Sequence, residues 1–232
     1  SSRQMKALST KVSAFTTGQM QALSEAQLNT LRPAQAAALT STQLNALSST
    51  QLSGLSAGVV AALSTSELAG LSTTHVGELT TRQLKALTTS QVAGLTSAQL
   101  GALGTDQLSG FKVTQIRAIE SGDLQALQAD RIAALSRSQV AGSTYAQMAA
   151  LDTDQVAAIE THDLDGLSNG QLGSLSTGQL RALGTAQLAS LSRGRLSSLS
   201  TAAIAAFTSD QMRAVAGRQL TGLNTAQIVA LR

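Results

Sequence analysis

The chain has 232 residues, of which 43% are hydrophobic, 12% charged and 2% aromatic, with a formal net charge of +3 and neither Cys nor Trp. So little charge with so much apolar content excludes intrinsic disorder, and the lack of Cys excludes a disulfide framework or a thiolate metal site. Lys and Arg are scattered and aromatics nearly absent, which leaves no footprint for nucleic acid, and no run of about 18 apolar residues is present to span a membrane as a helix.

Internal repetition organises everything else. Residues 8 to 231 divide into 28 octads without an insertion or deletion. Their slots are lettered b to h and then a, so that Ser176 is b, Gln179 is e, Leu180 is f, Ala182 is h and Leu183 is a. Slot f is apolar in all 28 octads and slot a in 27; slot h is Ala, Gly or Ser in 26; slot e is Gln in 19, and slot b is Ser, Thr, Asp or Asn in 19. Ser or Thr followed three residues later by Gln is a capping box, and the apolar pair at a and f supplies the hydrophobic staple around it. Each octad therefore specifies a helix start, and the spacing predicts helices over slots c to h with corners at a and b. A continuous helix is excluded, because eight residues at 100° each leave the apolar slots drifting about 80° per octad. Helices this short do not survive alone, so each must bury its a and f side chains against neighbours, as in a solenoid. The expected fold is an all-α solenoid or superhelix of tandem eight-residue repeats, each a very short capped helix, in a single repeat domain over 1–232. A β-solenoid is the alternative, since Val and Ile fill ten of the f slots, but Ala, Leu and Gln favour helix.

In chain order, SSRQMKALST lacks the apolar stretch of a secretory signal. Met5 and Leu8 keep the apolar theme one residue out of step before Val12 enters the register. Pro33 in slot c suits the first helical position. Phe15, Phe111 and Phe207 all occupy slot a at intervals of twelve octads, in matching surroundings, which reads as duplicated twelve-octad blocks or a structural period. His75 takes the slot of a Gln. Gly104, Lys112 and Gln128 stand at b and put individual caps in question. Eight of the 13 acids lie between Glu120 and Asp165, and IESGDLQAL at 119 is echoed by IETHDLDGL at 159. Ser143 is the one polar slot a, with Tyr145 two residues on. The array ends in register, with Ile228 in f and Leu231 in a, and no polar capping segment follows.

No reaction chemistry emerges from the residues. Asp152 with Asp154, Glu120 with Asp123, and Glu160 with Asp163 form carboxylate pairs, but slots b, d and e read as the solvent side, where acids cap or solvate helix starts. Asp152 and Asp154 lack the looped ligand series of a calcium site. His75 and His162, 87 residues apart, read as surface histidines without a third metal ligand. No Ser–His–acid grouping and no phosphate-cradling glycine cluster is present. No enzyme activity, metal or cofactor is expected.

The motif LSTxQLxAL, with the variants IESGDLQAL and IETHDLDGL, resembles octad arrays of large bacterial secreted or surface, adhesin-like proteins. The resemblance covers nearly the whole chain and implies an extracellular, non-catalytic segment; it carries over no site residues. The expected role is a structural repeat protein, either an extracellular filament subunit or the stalk of a bacterial surface protein, assembling end to end through Met5, Leu8, Ile228 and Leu231. The alternative is a solenoid scaffold that binds a protein or glycan partner.

Overall fold

The computed structural model describes residues 9–231. Among these are 26 α-helices of four to six residues, two 3-10 helices and no strand, which excludes the β-solenoid. The helix Thr177–Ala182 covers slots c to h of its octad, and the backbone turns at Leu183 with φ −60° and ψ 134°. Its start is built as the sequence requires. Ser176 Oγ accepts the Gln179 backbone N–H at 3.2 Å, and Gln179 Oε1 accepts the Ser176 N–H at 2.7 Å. The corner is closed by the Leu183 N–H donating to the Leu180 carbonyl at 3.3 Å. Departures at b do not abolish the helix. At Gly104 and Gly184 no side-chain oxygen caps the start, yet Gln107 and Gln187 still accept the cap N–H at 2.7 and 2.6 Å.

Slots f and a form the core: Leu180 and Leu183 are 1% and 3% exposed. Slot e is the correction. It was expected on the solvent side, but sixteen of its nineteen Gln are buried. Burial follows from what the second half of the amide does. Gln179 Nε2 donates to the carbonyls of Met148, Ala149 and Leu151, at 3.0, 3.4 and 2.6 Å, which lie 31, 30 and 28 residues earlier. The same offsets recur for Gln43, Gln99 and Gln211. One amide therefore closes its own helix start and joins it to the corner that ends the helix four octads back.

Helices three octads apart pack side by side, as Thr81–Ala86 does on Ala57–Ala61. Helix packing at three octads and amide bonding across four set a turn of about three and a half octads, so each helix start sits over a corner of the turn before. This stagger explains the small slot h. A Cβ on Gly110 would stand 2.0 Å from Thr81 Cγ2, and one on Gly70 2.5 Å from Ser41 Cβ, in both cases a slot-c side chain 29 residues earlier. Glu78, an exception at slot h, meets Ser49 at that same offset and accepts its hydroxyl.

The chain divides into two compact units, Ser1–Ile119 and Glu120–Arg232, each a solenoid-like array of this kind. The division falls at the octad with Glu120 at b and Asp123 at e. There the box is lost, Gly122 is itself helical at φ −68° and ψ −29°, and the chain makes the 3-10 helix Asp123–Ala126.

Candidate functional site

The exceptions at slot e sort by whether they keep a donor for the turn before. His75 keeps one: its Nδ1 lies 2.7 Å from Ser72 Oγ and its Nε2 lies 3.0 Å from the Leu47 carbonyl, 28 residues earlier. It is a half-buried stand-in for Gln rather than a surface histidine. Arg195 does the same, with Nε donating to the Leu167 carbonyl at 2.8 Å. Glu67 keeps only the acceptor half, taking the Ser64 N–H at 3.1 Å.

Asp163 is the most demanding exception. It stands at slot e of the helix Thr161–Leu164 and is 2% exposed. A carboxylate one methylene shorter than Gln reaches no acceptor and has no N–H to give. In this register the carbonyls 31, 30 and 28 residues back belong to Ile132, Ala133 and Leu135, where other octads receive an amide. Asp163 Oδ1 is buried without a hydrogen-bond partner; His162 Nε2 approaches to 3.0 Å, out of hydrogen-bond alignment. His162 Nδ1 lies 3.3 Å from Glu160 Oε2, and these two side chains are exposed. Burial raises the Asp163 carboxyl above its ordinary value; His162 and Arg137 oppose that rise and Glu160 adds to it.

Beside this group, Asp165 joins three successive turns. Arg137 Nη2, 28 residues before it, lies 2.9 Å from Oδ2, and Arg195 Nη1, 30 residues after it, lies 2.7 Å from Oδ1. Part of the acidic middle segment is thus spent on bonds within the chain.

The residues named from sequence are dispersed. Met5 and Leu8 lie outside the described residues. Ile228 is 52% exposed although it occupies slot f, whereas Ile204 in the same slot is 1% exposed. Slot f is covered by the turn that follows, and among the described residues none follows Ile228; Met212 and Leu220, also in slot f, are half-buried for the same reason, and Leu231 in slot a is half-buried. Asp152 caps its helix by accepting the Gln155 N–H at 2.7 Å. Tyr145 is 60% exposed and lies over Gly170. A cleft of about 910 Å³ lined by Gln21, Ser24, Glu25, Asn45 and Gln51 is open and brings no acid–base pair together. Glu160, His162 and Asp163 were read separately from sequence, as a carboxylate pair and a lone histidine. Their spacing across one helix start was the signal that would have joined them.

Three tandem stretches of the chain, residues 79–113, 116–153 and 156–193, match the family model of the ALTTAQ repeat. No curated protein matches the chain. The matched stretches and their flanks share the octad slots, so the chain is a tandem-repeat protein with one repeating structural unit. None of its described helices is long and apolar enough to cross a membrane.

Proposed function

We propose that this tandem-repeat protein is an extracellular structural element of a bacterial surface, a filament subunit or stalk whose repeat faces associate end to end. The observation that carries the reading is the repetition of one bonding pattern from turn to turn: the slot-e amide donates to corner carbonyls 28 to 31 residues back, as Gln43, Gln99, Gln179 and Gln211 all do. A turn of this array thus offers amide donors on one side and corner carbonyls with slot-f side chains on the other. The bonding that joins turn to turn would then join copy to copy. Such a contact is heterologous and propagates rather than closing.

The test replaces Ile228 and Leu231 with Lys and follows size by light scattering at rising concentration. Wild-type protein should grow in size and the variant should not. A wild type that stays monomeric, with the variant no different, removes the filament and leaves the stalk.

A further inference from the structure

We propose that Glu160, His162 and Asp163 form a binding site for a divalent transition-metal ion, Zn²⁺ in particular. One ligand atom from each residue can be chosen so that all three lie within 4.8 Å of one another. Donors held about 2.0–2.2 Å from zinc lie about 3–4 Å apart, so only a small closing movement is needed. The two residues that must move are free to do so. Glu160 and His162 are exposed, and the Glu160 side chain makes no cap hydrogen bond although it stands at the N-cap.

The third residue is the fixed point. Asp163 is held by burial, with Oδ1 3.0 Å from His162 Nε2 and no hydrogen bond to satisfy it. A buried carboxylate in that condition must be neutralised by a proton or a cation. The cations nearby are already engaged, since Arg137 and Arg195 both pair with Asp165. His162 sits between the two carboxylates, with one ring nitrogen facing each, and turning one of those nitrogens onto the ion would complete the set. One imidazole with two carboxylates suits zinc better than calcium or magnesium, which prefer oxygen alone. Three protein ligands leave a fourth position open to water or to a donor from another molecule. Glu67, another carboxylate at slot e, lacks such a set: its oxygens are taken by the Ser64 N–H and the Ser66 hydroxyl.

The experiment is calorimetric titration of the whole chain with zinc chloride at about pH 7.5, beside Asp163→Gln, His162→Gln and His75→Gln. Asp163→Gln installs the residue that slot e normally carries, so it preserves the fold while removing a ligand. The expected result is one saturable site whose affinity falls about tenfold or more in Asp163→Gln and in His162→Gln and is unchanged in His75→Gln. Zinc should also raise the wild-type melting temperature and leave that of Asp163→Gln where it was. Absence of saturable binding in the wild type, or an affinity that either of the first two substitutions leaves unchanged, overturns the proposal.

Discussion

A primary amide carries an acceptor and two donors on one rigid group, and the repeat uses both sides at slot e. Gln179 Oε1 serves its own helix start while Nε2 serves three carbonyls of the turn before. Removing it leaves a partly buried N–H and the buried Met148 and Leu151 carbonyls unsatisfied, a cost set by desolvation. Gln179→Ala is therefore expected to destabilise by about 2–4 kcal/mol, comparable with the about 2–5 kcal/mol of Leu180→Ala. Gln19→Ala, at an exposed position that keeps only the cap bond, should cost about 0.5–1.5 kcal/mol. Urea denaturation of the three variants checks the order, and equal losses at Gln19 and Gln179 would contradict the inter-turn role. Asp163 gives the converse case. Its carboxyl is raised above the ordinary carboxylate value, chiefly by burial. The fold thus holds that proton more tightly than the unfolded chain does, so stability is lost as pH rises from the unfolded value through the folded one. Asp163→Gln should be more stable than wild type at neutral pH by about 1 kcal/mol, with the gap narrowing below about pH 4. Glu160, His162 and Arg137 face the position in both proteins, so the difference between the two denaturation series reports on Asp163. A gap that widens toward acid would show the opposite sign.

At the scale of the element, a helix of four to six residues has almost no stability of its own. The cap fixes where each one starts, and packing decides that it exists. Ser176→Ala removes the cap oxygen that accepts the Gln179 backbone N–H, and should cost about 0.5–2 kcal/mol. Slot h is governed by close approach instead. Gly110 lies where any Cβ meets Thr81 of the turn before, so Gly110→Leu should cost about 1–3 kcal/mol through overpacking. A melting temperature unchanged by Gly110→Leu would mean that the turns stand further apart than the stagger requires.

At the scale of the molecule, the bonds between turns span about 25 to 31 residues of sequence. Stability in such an array is the sum of neighbouring units. Residues 1–119 alone are expected to give a helical far-ultraviolet spectrum and a cooperative urea transition; an unfolded spectrum would show that this unit depends on the other.

The octad by itself determined the helix, its start, its corner and its apolar slots, because box and staple act within one short segment and need no distant partner. It could not say how many octads make a turn. That number comes from the angle at each corner and from which helices come to lie side by side, and it decided the remaining assignments. Slot e looked solvent-facing because Gln is polar and its cap bond is local; only stacking of turns brought carbonyls to its Nε2 and buried it. His75 and Arg195 looked like departures and proved to be substitutes, since each presents a donor to the same carbonyl offset. Asp163 looked like one acid among eight, and tertiary burial alone made it a carboxylate without a partner.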